Sequence, residues 1–280
     1  MIKSILATLD GSEHSQTAAR YAIWLAERLQ ATVVGMHVVD VVSIEGSGAF
    51  LHDVSGSLGF EPYLDFSSKM REALHERGRL VLEQFAATCA ERGVRADTHL
   101  ATGIVANEIC EQARTADLVV VGHRGVNERF STGLLGSTTE SVTRKCPKPV
   151  LVSPMEFREI HRPLLAYDGS QRAAAAMHEA AELASALGLP LTVLHVGKED
   201  AATDRVVDEA RRYLASHKVE AEFTTRPGHA NEAILDAMAE GDHDLLVIGA
   251  YGHSRIIEMV LGSTTEYVLR NATAPVFLCR

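Results

Sequence analysis

DLVVVGHRG (117–125) followed by LLGSTTESVTRKCPKPVLVS (134–153) returns later in the chain as DLLVIGAYG (244–252) followed by VLGSTTEYVLRNATAPVFLC (260–279). Each copy is a short apolar run, a glycine pair, a Gly-Ser-Thr-Thr-Glu block and a second apolar run. Working outward, SILATLDGSEHS (4–15) matches PLLAYDGSQRAA (163–174), and TVVGMHVV (32–39) matches LTVLHVGK (191–198). Asp10 and His37 stand 158 residues before Asp168 and His195, whereas Gly122 stands 127 before Gly249. The chain is therefore a duplication, and its first half carries about 31 extra residues between His37 and Gly103. The Gly- and Ser-rich stretch 40–66 is the expected insert, read as a functional or disordered loop. The domains expected are 1–155 and 162–280, with the linker near Met155–Arg162.

The apolar runs are short, rich in Val, Ile and Leu, and do not alternate, as suits strands buried on both faces of a parallel sheet. Between them, Ala18, Ala22, Leu25 and Leu29 share one helical face, as do Ala180, Leu183, Ala184 and Leu187, with Gly188 as the stop. Strands alternating with helices give two tandem α/β, Rossmann-like doubly wound domains, each a five-stranded parallel sheet flanked by helices. The strands are expected near 3–9, 32–39, 95–101, 117–121 and 149–153, then 163–167, 190–196, 219–225, 244–248 and 275–279. Ligands of such sheets bind beyond the carboxyl ends of the strands, where strand order reverses. The repeated motifs converge there.

The chain has 280 residues, 46 % apolar and 23 % charged, which is ordinary for globular domains. A net charge of −10 argues against a general nucleic-acid surface. No apolar run is long enough to span a membrane, and Asp10 and Gly11 interrupt any signal-like start. Cys89, Cys110, Cys146 and Cys279 are scattered, as expected of reduced thiols in a cytoplasmic protein. Thirteen histidines include no paired ligand spacing, so any metal is expected as Mg²⁺ on phosphates.

Gly122-x2-Gly125 with ten residues to Gly136-Ser137, and Gly249-x2-Gly252 with nine to Gly262-Ser263, each lead into a helix. Glycine admits close approach, and a helix N-terminus offers free N–H groups and a positive dipole end, which together make a phosphate site. Capping boxes at Ser137-x-x-Glu140 and Ser263-x-x-Glu266 are the competing account of Ser and Glu, though not of the glycines. Asp10 and Asp168 read either as helix-starting Asx-turns or as ligand contacts. His37 and His195 read as structural. GxxxxGK[ST], GxGxxG after a strand and GxSxG are all absent, and no catalytic set repeats.

The block G-x2-G-x9-G-[ST], with an earlier Asp-Gly-Ser, resembles the ATP-binding universal stress proteins, twice along nearly the whole chain. The second repeat fits the spacing fully; the first is longer by one residue. The resemblance implies ATP with Mg²⁺ as ligand, with Asp10 and Asp168 near the adenosine and Val38 and Val196 meeting adenine through backbone. It implies that Gly122, Gly125, Gly136 and Ser137, and Gly249, Gly252, Gly262 and Ser263, hold ribose and phosphates. Thr138 and Thr264 would add backbone N–H donors. It further implies that PVLVS (149–153) and PVFLC (275–279) pair within the chain, while whole-chain homodimerisation stays open. The function expected is regulation of an unidentified protein partner by adenine nucleotide. The alternatives are a slow ATPase or self-phosphorylating protein using Ser137 or Ser263, and a nucleotide-free scaffold binding through the 40–66 insert.

Overall fold

A computed structural model describes residues 1–40, 62–125, 135–250 and 262–279. The first repeat runs β1 (Ser4–Thr8), α1 (Glu13–Leu29), β2 (Thr32–Asp40), α2 (Pro62–Glu91), β3 (Ala96–Gly103), α3 (Val105–Gln112), β4 (Leu118–Gly122), α4 (Ser137–Lys145) and β5 (Val150–Ser153). The second runs β6 (Pro163–Ala166), α5 (Gln171–Leu187), β7 (Leu191–Val196), α6 (Ala201–Ser216), β8 (Ala221–Arg226), α7 (Ala230–Glu240), β9 (Leu245–Gly249), α8 (Ser263–Asn271) and β10 (Val276–Cys279). All ten expected strands form, each within two residues of its expected bounds.

One sheet carries all ten, in the order β3-β2-β1-β4-β5-β10-β9-β6-β7-β8. Every pairing within a repeat is parallel. The join is antiparallel, with Val276 opposite Val152, Phe277 opposite Leu151 and Leu278 opposite Val150. The pairing of the last strands thus forms as the resemblance implied. It removes two apolar edges that would otherwise expose unpaired backbone. Among the described residues the outer strands are β3 and β8, whose sequences ADTHLATG and AEFTTR are polar and include no buried residue.

Helices cover both faces. One layer of core joins α1, α2, α5 and α6 to the sheet and contains Tyr21, Leu82, Leu151, Ala180, Leu214 and Phe277. The other joins α3, α4, α7 and α8 and contains Ile109, Val142, Val152, Ile234, Leu246 and Val268. Both layers run across the join, so the repeats share one continuous core. Gly35 and Phe85 show how tightly α2 packs: a Cβ on Gly35 would lie 2.5 Å from the Phe85 ring. Gly188, at φ 67°, is the left-handed C-cap of α5, as expected.

A repeated aspartate that sequence reasoning passed over starts each central strand. Asp117 accepts from the backbone N–H of Lys3 and Ser4 at 2.8 and 3.0 Å. Asp244 does the same for His161 and Arg162 at 2.7 and 2.8 Å. The expected bounds of the insert need correction. Asp40 completes β2, and residues 62–66 open α2, which is 30 residues long against 16 for its counterpart α6. Part of the surplus therefore lengthens a helix; the rest of the insert, 41–61, lies outside the described residues.

Phe277, 1 % exposed in the middle of the join, touches the core of both repeats. Phe277→Ala is expected to cost about 3–5 kcal/mol in urea unfolding of the full chain. A cost under about 1 kcal/mol would contradict the shared core.

Candidate functional site

The turn after β6 is built by four local interactions. Gly169 takes φ 77°, a left-handed conformation that favours glycine. Asp168 Oδ1 accepts from Ser170 N–H at 2.9 Å, closing an Asx-turn, and Ser170 Oγ caps α5 by accepting from Ala173 N–H at 3.1 Å. His195, on the adjacent strand, bonds through Nδ1 to the Tyr167 carbonyl at 2.9 Å. The first repeat copies each part. Gly11 has φ 81°, Asp10 Oδ1 accepts from Ser12 at 2.9 Å, Ser12 Oγ caps α1, and His37 Nδ1 bonds Leu9 carbonyl at 2.7 Å. The repeated histidines are therefore braces that hold each Asp-Gly-Ser turn to the end of strand two.

Burial is the main influence on His37 and lowers its pKa below the ordinary value, outweighing the Leu9 carbonyl and nearby Asp10, which pull it up. The ring is held neutral, with its Nδ1–H donating to Leu9. A Cβ on Gly78 of α2 would come within 2.6 Å of its Cδ2, so the helix backbone closes over it.

The glycines after β4 and β9 serve packing first. A Cβ on Gly249 would lie 2.7 Å from the Arg172 carbonyl carbon, and one on Gly122 would lie 2.9 Å from that of His14. These contacts are backbone, so neither can yield cheaply. The glycines let the first turn of α5 or α1 rest on the sheet, and Gly249 also lines a cavity. Gly125 and Gly136 are closed in differently: a Cβ on Gly125 would meet the side-chain Oδ2 of Asp10 at 2.7 Å, and one on Gly136 would meet Arg124 Cα at 3.1 Å.

The expected capping boxes do not form. Gly136 and Gly262 are the N-caps of α4 and α8, and no side chain caps either helix. Ser137 and Ser263 sit one position inside. Glu140 instead pairs with Arg144 at 2.5 Å, and Glu266 with Arg270 at 2.6 Å, one turn along each helix. A glycine N-cap supplies no side-chain acceptor, so among the described residues no N-cap side chain competes for the first N–H groups of either helix.

In the second repeat these parts surround a cavity of about 480 Å³. It opens beyond the carboxyl ends of β6, β7 and β9, where strand order reverses between β6 and β9. Asp168, Val196, Gly249, Gly262, Ser263 and Thr264, all singled out from sequence, line it. Gly252 lies outside the described residues. Apolar side chains from Leu194, Ile234 and Ile248 form one wall. Sequence reasoning missed Ile234 of α7, which no motif marks, and Arg172, which the first repeat does not repeat. Arg172 Nη1 donates to the Ala250 carbonyl at 3.2 Å. Tyr167 stands between turn and core; its hydroxyl donates to Glu209 at 2.9 Å, and burial together with that bond pushes its pKa well above the ordinary value.

In the first repeat Asp10, Val38, Gly122, Gly125, Gly136, Ser137 and Thr138 occupy the matching positions around β1, β2 and β4. Two features are its own. Arg77 of α2 donates from Nη2 to the Asp10 carbonyl at 3.1 Å, where Ala202 stands in the second repeat. His123 bonds through Nε2 to the Leu269 carbonyl at 2.6 Å, in the last turn of α8. The described cysteines are free thiols; burial raises Cys89 to about 11 and Cys279 well above its ordinary value. Among the described residues no helix is long and apolar enough to cross a membrane, and no cluster of three metal-ligating side chains occurs.

The model of the universal stress protein family matches residues 1–154 and again 159–280. A universal stress protein of Synechocystis is 32 % identical over the whole of both chains. Another, of Mycolicibacterium smegmatis, is 26 % identical over 99 % of this chain and 96 % of its own. The crystal structure of a universal stress protein from Archaeoglobus fulgidus covers 99 % of this chain and 98 % of its own, with a TM-score of 0.76 and 24 % identity, which speaks to the fold.

His37 gives the turn a pH signature. Unfolded, it titrates near about 6.5; folded, its pKa is lower. Its contribution to stability is therefore complete above about 6.5 and is lost as pH falls toward the folded value. The stability advantage of the wild type over His37→Asn is expected to shrink between pH 7 and pH 5 in urea titrations; a constant or growing advantage would contradict a neutral brace.

Proposed function

The chain belongs to the universal stress protein family, and from that premise we propose that it is an adenine-nucleotide-binding regulatory protein whose ligand is ATP, carried with Mg²⁺. The observation that carries this reading is the cavity at the strand-order reversal, with an apolar wall on one side and the glycine-capped N-terminus of α8 on the other. Its volume falls within the range of roughly 300–1,000 Å³ common for small-molecule sites. An aromatic base suits the Leu194, Val196 and Ile234 wall. Phosphate charge suits the backbone N–H groups of Ser263, Thr264 and Thr265, where the helix dipole favours an anion. Asp168 would take ribose hydroxyls, and Val196 would meet the base edge through backbone.

The matching residues of the first repeat, Asp10, Val38, Gly122, Gly125, Gly136, Ser137 and Thr138, would form a second site, and Gly252 would complete the first-named one. Bound nucleotide would stabilise the loaded state by mass action and so alter contacts with a regulatory protein partner. A universal stress protein has been solved in complex with cAMP, so cyclic nucleotide belongs among the competitors tested.

Ser137→Glu with Ser263→Glu separates binding from folding. A carboxylate in the first turn of a helix is neutral to stabilising, by about 0.3–1 kcal/mol, but it opposes a phosphate at the same N–H groups. The double variant is expected to melt at or slightly above the wild type without ligand. Millimolar ATP with Mg²⁺, which should stabilise the wild type by about 2.7 kcal/mol per site at a hundredfold excess over Kd, should no longer raise its Tm. An undiminished ATP shift in the double variant would contradict this site.

A further inference from the structure

In the second repeat the first turn of the helix after strand one puts Gln171 and Arg172 on the cavity, and the repeats differ at both positions. In the second repeat Gln171-Arg172 begins α5, and Arg172 lines the cavity. In the first, Glu13-His14 begins α1. A fixed guanidinium thus stands where the other repeat has an imidazole beside an exposed carboxylate. His14 is 5 % exposed, and its ring centroid lies 6.2 Å from that of His123.

Among the described residues that line the cavity, Arg172 is the only Lys or Arg. Its placement is over-determined. The missing side chain of Gly249 lets its backbone sit against β9, and the bond from Nη1 to the Ala250 carbonyl ties the guanidinium to the chain leaving that strand. Ser170 fixes the start of the helix that carries it. A planar guanidinium can bond two phosphate oxygens at once. Asp168, on the same cavity, places a carboxylate near the ligand. A monophosphate can be held by the α8 N–H groups alone. A longer chain of phosphates adds negative charge that the partial charge of a helix end does not balance.

We propose that Arg172 makes the second cavity a polyphosphate site that selects nucleoside di- and triphosphates over monophosphates. The selection of nucleotides rests on the reading given above; the preference for polyphosphate does not. Arg172 is then a specificity-determining residue. Charge-assisted hydrogen bonds of this type correspond to about 10–100-fold in affinity.

The test measures binding of ATP, ADP, AMP and inorganic tripolyphosphate to the full chain by calorimetry, for wild type, Arg172→Ala, Arg172→Gln and Arg172→Lys. The expected result is one class of sites in which Ala and Gln weaken ATP, ADP and tripolyphosphate by about tenfold or more while AMP changes by less than about threefold. Lys, which keeps the charge and loses the fork, should fall between. The Gln variant stands in if the Ala variant does not fold. An unchanged ratio of ATP to AMP affinity overturns the proposal, as does an equal loss for both ligands. If the wild type binds no adenine nucleotide, tripolyphosphate decides: Arg172-dependent binding keeps the polyphosphate site and removes only the nucleotide reading, whereas no binding removes both.

Discussion

The antiparallel pairing of β5 with β10 sets the arrangement of everything else. Two parallel half-sheets of identical strand order meet through their last strands, at Leu151 opposite Phe277. Their central edges cover each other, and the core on both faces becomes common to the two repeats. Because the join is antiparallel, the carboxyl ends of the two half-sheets point to opposite edges. The same geometry brings the start of β10 beside the end of β5. The last turn of α8 thereby comes within reach of the loop after β4, and His123 bonds the Leu269 carbonyl there. A cationic or donor group at a helix C-terminus suits the carbonyls left without partners in the helix. In the other direction Ala250 stands in the place of His123 and cannot make such a bond.

Each site is assembled from small constraints of packing rather than from a dedicated binding element. Glycine after the fourth strand lets a helix lie against the sheet. The histidine of the second strand holds the turn of the first. Asp-Gly-Ser spends one carboxylate oxygen on its own turn and one hydroxyl on a helix cap. In the second repeat the glycine-capped helix, the apolar wall and Asp168 line the cavity. Packing of the scaffold thus sets the shape of the second repeat's cavity.

The fold was legible because parallel, doubly covered strands leave continuous apolar runs and because duplication marks the matching positions twice. Lining residues within repeated motifs were legible for the same reason: Asp168, Val196, Gly249 and Gly262 all recur as Asp10, Val38, Gly122 and Gly136. Arg172 carries no repeat signal, because His14 stands in its place in the first repeat. Ile234 belongs to an ordinary amphipathic helix, where core and cavity positions share one periodicity. The capping boxes misled by one residue: Ser-x-x-Glu has the right spacing, but the chain enters each helix at the preceding glycine, and a pattern of residue types does not reveal that register. The length of α2 was hidden because its added turns adjoin a Gly- and Ser-rich stretch.

The most direct test of a nucleotide in the carboxyl-end cavity is to denature freshly purified full-length protein, identify released nucleotide by mass spectrometry, and count moles per chain, with a Ser263→Glu preparation handled in parallel. The account predicts adenine nucleotide from the wild type and a lower yield, by up to one mole per chain, from the variant. Equal yields from the two proteins, or no nucleotide together with no titratable binding, would contradict it.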